Sequence, residues 1–460
     1  MEAKKENILG TERIGKLLLT YSIPGVISML VNSIYNMVDQ IFIGQGVGYL
    51  GNAATNVVFP FSQIMMALSI MVAAGTAANV GLNLGKKREE EANHFVGTGF
   101  CLAMINGLAV LIVAQLLMPI LLRVFGATDL VMPYAMDYGR IVLIGFPFIS
   151  CGMFMNEIVR MDGSPRLSMI AMIAGAIVNL IFDPLFIFVF HWGVRGAALA
   201  TIMGQILTFF ILITRMFRLK TLEFNKSDFR LQPKRVGIIC KIGISGFLTN
   251  IAFLFVTILL NNQAIRYGSM SVYGAEIPLT CFGIVMKINS LMTAVIIGVT
   301  HATQPIFSYN YGAQKYRRIR QLFFMAALTT VIIGAIGAVV FHVFPQPIIN
   351  LFGQESELYN EFAIMSLKTM TTLVFVIGVV MLAGAYFQSV GKPLRAVIFS
   401  LSRTVLFSMP LMVILPIFFG VKGLLYAFPG GDILSITLAI IMIALEFRSL
   451  PKEDVGITGA

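Results

Sequence analysis

The sequence predicts an all-α polytopic membrane protein with about twelve transmembrane helices, arranged as two parallel, pseudo-symmetric six-helix bundles. Three observations lead to this fold class: the composition, the distribution of basic residues and an internal repeat. Hydrophobic residues make up 57% of the 460-residue chain and charged residues only 12%, with a mean hydropathy of +0.86. A soluble protein carries about 25% charged residues. The apolar runs are long and continuous, which favours helices over barrel strands.

Glycine, proline and charged residues divide the apolar runs into the individual spans. A polar stretch from Arg215 to Lys241 separates the sixth span from the seventh. We therefore predict an N-terminal bundle over 1–218, a cytoplasmic linker over 219–240 and a C-terminal bundle over 241–460. The predicted spans cover 14–43, 53–83, 94–122, 133–158, 167–190, 194–217, 242–265, 277–309, 317–344, 359–389, 394–419 and 421–446.

Basic residues are concentrated in every second connecting segment. The intervening segments carry only four in total: Arg123, Arg195, Arg266 and Lys422. Cytoplasmic segments are enriched in lysine and arginine, so both termini and the linker are predicted to be cytoplasmic in a multi-pass inner-membrane protein. The formal charge of +11 then reflects topology, and no nucleic-acid partner is expected. The polar start of the chain and the lack of a cleavage site predict that the first span is retained.

The two halves of the chain share short motifs at a shift of about 227 residues, which indicates an internal repeat. Gly193-Val-Arg-Gly196 corresponds to Gly420-Val-Lys-Gly423, and Gly163-Ser-Pro165 corresponds to Gly391-Lys-Pro393. An even number of spans in each half gives both halves the same orientation. Such a parallel repeat predicts a cavity between two bundles that opens alternately to either side.

Two carboxylates in the first half lie at comparable depth inside their predicted spans. Asp39 is on the first span, about 7 Å from its outer end, and Asp183 on the fifth and Thr201 on the sixth lie about 10–12 Å deep. Asn179 shares a helix face with Asp183. A charge in the bilayer is costly, and two neighbouring carboxylates stay ionised only if a cation binds. We predict an ion-coupling site for H⁺ or Na⁺ at Asp39, Asn179, Asp183 and Thr201, with no other cofactor or metal.

A hinge and a substrate cavity are predicted around this site. Pro24 removes one backbone hydrogen bond from the first span, so a bend there would move Asp39; a static kink is the alternative. The candidate cavity residues of the first half are Tyr35, Asn36, Met37 and Met153, since thioether and aromatic side chains suit promiscuous binding.

The second half does not repeat the carboxylates but has its own charges near the middle of its spans: Lys287, Arg403 and Asp432. Mutual pairing would offset the cost of burying them. Alternatively, Lys287 or Arg403 faces the cavity and contacts an anionic or hydrogen-bond-accepting group of the substrate. We include all three in the candidate substrate cavity.

Several motifs resemble the multidrug and toxic compound extrusion (MATE) family over nearly the whole chain: Pro24-Gly25, Asn36-Met-Val-Asp39, Ile43-Gly44, Phe59-Pro60, Gly163-Ser-Pro165 and Asn179-Leu-Ile-Phe-Asp183-Pro184. The first-span aspartate and the fifth-span Asn-x-x-x-Asp match one branch of that family. The resemblance implies a secondary antiporter that exports organic, often cationic, compounds in exchange for H⁺ or Na⁺.

Other functions remain open on the sequence alone. A lipid-linked oligosaccharide flippase of the same superfamily is the main alternative, because those proteins carry cationic cavities. An uncoupled channel or binding protein is disfavoured by the paired carboxylates. An enzyme is not expected, because the chain has neither a phosphate-binding Walker loop nor histidine and cysteine at metal spacing. The expected partners are small-molecule substrates and the bilayer, with the chain acting as a monomer.

Overall fold

The computed structural model of the chain describes residues 7–216, 218–219, 221–222, 228–351 and 356–454. Regular secondary structure in these ranges is entirely helical. The helices of the first half are α1 Ile8–Thr11, α2 Ile14–Val47, α3 Tyr49–Gly85, α4 Glu89–Val124, α5 Met132–Met161, α6 Pro165–Pro184 and α7 Gly193–Met216. Those of the second half are α8 Pro233–Ser269, α9 Glu276–Gly312, α10 Tyr316–Val343, α11 Pro345–Asn350, α12 Glu357–Thr371, α13 Val374–Ser389, α14 Pro393–Leu401, α15 Met409–Phe419 and α16 Val421–Ser449.

The number of membrane spans agrees with the sequence. Eleven helical segments of the described chain are long and apolar enough to cross a bilayer, and α12 with α13 makes a twelfth if the pair is one span. This pair meets at a bend of 43°, where the sequence predicted one continuous helix. The hydroxyls of Thr371 and Thr372 donate to carbonyls one turn back, at 2.6 and 2.8 Å, and such bonds bend helices.

Two spans contain a π-helical turn that the sequence did not predict. Leu185–Val189 continues α6 directly after Pro184, and Ser402–Ser408 connects α14 to α15, just before Pro410. Proline has no N–H to donate, so the α-helical register is interrupted at both positions. Because π-helical turns are frequent at functional sites, these two segments direct attention to Asp183 and Arg403.

Single glycines connect neighbouring spans at two sites. Gly48 separates α2 from α3 with φ 82°, and Gly420 separates α15 from α16 with φ 58°. A residue with a side chain rarely adopts this left-handed conformation, whereas glycine does so at little cost. The spans therefore reach closer to the turns than predicted. Likewise α8 begins at Pro233, inside the segment predicted to be a linker up to 240.

The two halves meet through α2 against α9 and through α3 against α8 and α9. Glycines let these backbones touch: a Cβ on Gly25 would lie 2.7 Å from the carbonyl oxygen of Gly298. We call the membrane face at which α2 begins and α16 ends the terminal face. Gly25 lies about 16 Å from it along α2. The close backbone contacts between the halves therefore extend from the terminal face to about the middle of the membrane.

Polar contacts between the halves lie on the same side. Asn310 Nδ2 donates to Leu9 O at 2.9 Å, and Lys315 Nζ donates to Gly10 O at 2.9 Å, so the short helix α1 is attached to the second half. An ion pair joins Arg235 of α8 to Glu91 of α4 at 2.9 Å. These contacts close the described part of the molecule at the terminal face.

Candidate ion-coupling and substrate site

Polar side chains from three helices lie at one depth in the membrane. They lie near the membrane face at which α2 ends, which we call the opposite face. Asp39 lies about eight residues before the end of α2, and Thr201 lies about eight residues after the start of α7, which places each about 12 Å from the opposite face. Asp183 is the penultimate residue of α6. Asp39 is deeper than the sequence estimate, because α2 continues to Val47. The depths of Asp39 and Thr201 therefore agree more closely in the structure than in the sequence estimate.

The carboxyl groups of Asp39 and Asp183 lie within hydrogen-bonding reach of each other. Helices α2 and α6 pack against each other and position this pair. Asp183 is fully buried. In each carboxyl, Oδ1 is buried and has no hydrogen-bond partner among the described residues. A buried, unpaired carboxyl oxygen is costly, so this arrangement favours a shared proton or a bound cation.

Asn179 connects the carboxyl pair to α7. With the amide oriented to satisfy its neighbours, its nitrogen donates to Asp183 Oδ2 at 3.1 Å. Its oxygen accepts from the backbone N–H and the hydroxyl of Thr201, each at 3.2 Å. The structure thus brings together all four residues that the sequence nominated. Carboxylate, amide and hydroxyl oxygens are also the donors that hard cations prefer.

Further polar residues surround the pair, and the sequence did not single them out as part of it. The phenols of Tyr35 and Tyr138 are close enough to interact electrostatically with both carboxyls. Gln40 Nε2 donates to Asn52 Oδ1 at 2.8 Å and to Thr55 Oγ1 at 3.1 Å, which ties α2 to α3. Gln40 directly follows Asp39 in an apolar span, and this adjacency could have identified it from the sequence. No feature of the sequence around Tyr138 indicated its position beside the carboxyls.

The remaining residues predicted for the first half fall in different environments. Pro24 is buried within an uninterrupted α2, next to the Gly25–Gly298 contact. Asn36 is exposed and Met37 is half-buried. Met153 instead packs against the largest buried core, and its position gives no support for a place in the cavity.

The charges of the second half form a pair and a separate lysine. Arg403 Nε donates to Asp432 Oδ1 at 2.6 Å. Asp432 is buried, whereas 28% of the Arg403 side chain is exposed. Lys287 is exposed and forms no ion pair within the described ranges. The mutual pairing considered for Lys287, Arg403 and Asp432 is therefore limited to Arg403 and Asp432.

A second buried ionic cluster lies outside the residues predicted from the sequence. Glu446 of α16 is buried and binds Lys392 and Arg395 from the start of α14. The hydroxyl of Tyr386 donates to Glu446 Oε1 at 3.2 Å. Glu446 is the last residue of the span predicted over 421–446, whereas α16 continues to Ser449 and places it inside the helix. Since it is fully paired near the terminal face, a structural role suffices to explain it.

A two-bundle helical membrane protein with paired carboxyls inside one bundle and exposed cations in the other has the organisation of a membrane transporter. The MatE family model matches residues 24–185 and again 247–414. The chain belongs to the MatE family and is a transporter rather than an enzyme. The resemblance inferred from the sequence motifs is confirmed.

Relatives of known name cover nearly the whole chain. The FAD transporter of Shewanella oneidensis is 24% identical over 92% of both chains. The multidrug export protein MepA of Staphylococcus haemolyticus is 23% identical, over 94% of this chain and 93% of its own. A solved outward-facing structure of a multidrug resistance MATE family transporter superposes with a TM-score of 0.91 at 23% identity, covering 98% of this chain and 99% of that one. This similarity confirms the all-α membrane fold.

Proposed function

We propose that the protein is a secondary active antiporter that exports amphipathic organic compounds in exchange for H⁺ or Na⁺ by alternating access. The observation that carries this proposal is the pair of Asp39 and Asp183, in which each carboxyl keeps one buried oxygen without a partner among the described residues. A site of this kind requires a proton or a cation when the protein closes around it. Its four oxygen-bearing side chains come from helices that belong to one bundle.

The proposed topology places the terminal face in the cytoplasm, in accordance with the positive-inside rule. The described structure, closed at that face, then corresponds to a state that opens outward. An ion arriving from outside binds at Asp39 and Asp183 and holds α2 against α6. Because α2 also carries Pro24 and the Gly25 contact with α9, a bend there would transmit ion occupancy to the bundle interface. We propose the cytoplasmic membrane as the location and a monomer as the working unit.

The test is exchange in proteoliposomes with imposed H⁺ or Na⁺ gradients. Asp39→Asn is expected to abolish gradient-driven efflux without changing folding or membrane insertion, because asparagine neither titrates nor supplies a charge to a cation. Asp137→Asn is the matched control, since Asp137 lies in the same bundle but forms an exposed ion pair with Arg195 at 2.9 Å. Wild-type exchange by Asp39→Asn would rule out the mechanism.

A lipid-linked oligosaccharide flippase is the second candidate. It is favoured by the exposed Lys287 and the partly exposed Arg403 in the second bundle, since a diphosphate-bearing lipid would need cations. Substrate-dependent H⁺ or Na⁺ flux with soluble organic compounds supports the antiporter. Lipid translocation without such flux supports the flippase.

A further inference from the structure

We propose that the second bundle contains a binding site for the acidic group of an organic anion, formed by Lys287, Lys368 and Arg403. Carboxylate, sulfonate and phosphate ester groups all fit this site, since the same cations bind all three. This inference rests on the proposed function, because it names the substrate class of that transport cycle. It departs from the family expectation of often cationic substrates and assigns an anionic substrate class to this chain.

The three cations lie at one depth in the membrane. Lys287 is about eleven residues into α9 and Lys368 about eleven residues into α12, both counted from the opposite face, hence about 16 Å deep. Arg403 is about ten residues beyond Pro393, counted from the terminal face, hence about 15 Å deep. The hydrocarbon core is about 30 Å thick, so all three lie near its middle.

The exposed face of α9 at this depth is polar. Thr280, Gly283, Lys287 and Ser290 are all exposed, and their spacing places them on one side of the helix. A Cβ added to Gly283 would meet no atom within 4 Å, so space is open in front of this side. A lysine between hydroxyl groups at mid-membrane is tolerated when it faces protein or water rather than lipid. On this physical ground, we assign this side of α9 to the space between the bundles.

Helix α12 packs beside α9 and repeats the pattern. Glu361, Met365, Lys368 and Thr372 follow the same helical spacing, and Lys368 is half-buried. Tyr273, in the turn that precedes α9, donates its hydroxyl to Glu361 Oε1 at 3.2 Å, so the acidic residue of this row is engaged near the opposite face. Within the described ranges, Lys368 forms no ion pair.

Arg403 is held in an orientation that leaves its binding edge available. Only Nε contacts Asp432, and neither Nη1 nor Nη2 has a partner among the described residues. Since 28% of the side chain is exposed at mid-membrane, we assign these nitrogens to the same space as the exposed side of α9. Two parallel N–H donors match the geometry of a carboxylate or phosphate. Asp432 thus positions the guanidinium group for an anion.

The charge balance of this wall favours an anion as well. Asp432 is buried behind Arg403 and offsets one positive charge. Lys287 and Lys368 form no ion pair with a described carboxylate, and Glu361 lies about 10 Å from Lys368 along α12, toward the opposite face. Asp39 and Asp183, the carboxylates of the coupling site, belong to the first bundle and bind the coupling ion. An anionic substrate would neutralise the second bundle while a cation neutralises the first.

Equilibrium binding in nanodiscs, without any ion gradient, tests the site. The probes are carboxyfluorescein, which is anionic, and rhodamine 123, a cation of similar skeleton. Lys287→Gln and Lys368→Gln are each expected to weaken carboxyfluorescein binding about tenfold, since a hydrogen bond to a charged group is lost. Neither variant is expected to weaken rhodamine 123 binding, because removing a positive charge lowers the repulsion of a cation. The control is Lys422→Gln, an exposed cation at the start of α16, for which no change is expected.

Two further variants keep the test interpretable. Lys287→Arg keeps the charge and should bind carboxyfluorescein as the wild type does, which separates charge from folding. The double variant Arg403→Gln/Asp432→Asn removes the arginine without stranding a buried carboxylate and should also lose affinity for carboxyfluorescein. The proposal would be overturned if the wild type bound rhodamine 123 more tightly than carboxyfluorescein. It would also be overturned if both lysine variants bound carboxyfluorescein as the wild type does.

These outcomes are distinct from failure of the antiport proposal. If the binding results hold and proteoliposomes show no ion-driven exchange, the anion site stands and antiport is wrong. If exchange is driven by an ion gradient but the lysine variants behave as the wild type, antiport stands and the anion site is wrong.

Discussion

Replacing Gly298 by alanine is expected to destabilise the state that is closed at the terminal face. A Cβ at this position would lie 2.6 Å from the backbone nitrogen and the Cα of Val26, and 2.9 Å from the carbonyl carbon of Gly25. These are backbone atoms and cannot rotate away. Carbon atoms in contact prefer about 3.5–4.0 Å, so α2 and α9 would have to separate by roughly 1 Å.

The size of the effect follows from this geometry. Overpacking of a tight contact costs about 1–3 kcal/mol, which corresponds to a change of about 5- to 150-fold in the ratio of two conformations. Alanine also improves helix propensity by about 1 kcal/mol. That gain is the same in every state in which α9 is helical, so it cancels from the ratio.

The assay is a distance measurement by pulsed electron paramagnetic resonance. Spin labels at Leu130 and Leu351, both exposed near the opposite face in different halves, report the opening there. Gly298→Ala is expected to increase the population with shorter distances. Gly237→Ala is the control, because a Cβ on Gly237 of α8 meets no atom within 4 Å. Unchanged distances in a stably folded Gly298→Ala variant would refute the packing argument.

Three other predictions concern the buried polar clusters. Glu446→Gln should lower the free energy of unfolding by about 2 kcal/mol, because its bonds to two cations become weaker. The measurement is a lower midpoint of thermal unfolding, and Glu90→Gln, at an exposed position, should leave this midpoint unchanged. Asn179→Ala should raise the ion concentration for half-maximal exchange about tenfold, by loss of one hydrogen bond to a charged group; an unchanged ion dependence in proteoliposomes contradicts this. Arg403→Gln should be less stable to heat than Arg403→Gln/Asp432→Asn, because the single variant leaves a buried carboxylate uncompensated; the reverse order would show that Asp432 does not need its partner.

The pairing of opposite polarities across one cavity is the central feature of the proposed cycle. Asp39 and Asp183 meet in the first bundle, and Arg403 is oriented by Asp432 in the second. Under the two proposals, ion and substrate occupy different bundles. Competition between them would then act through the position of α2 rather than through direct displacement.

Several elements of the fold could be predicted because they depend on composition and local order. Long apolar runs with short interruptions define spans in any membrane protein, and the alternation of basic segments indicates topology. The bend after Thr371 and the π-helical turns beside Pro184 and Pro410 were missed, since they depend on which backbone carbonyl each donor reaches. The predicted end of the first span also fell short of Val47, so Asp39 was placed too close to the membrane surface.

The sequence alone determined which charges would be expensive in the membrane, because that cost depends on a residue's position within its own span. It thereby identified Asp39, Asp183, Lys287 and Arg403 as residues that need a partner. Only the tertiary structure decided which partners they meet: Asp39 with Asp183, Arg403 with Asp432, and neither of them with Lys287. The physical reason is that contacts between helices depend on their rotation and spacing, and these are set by packing at glycines and interrupted turns far along the chain.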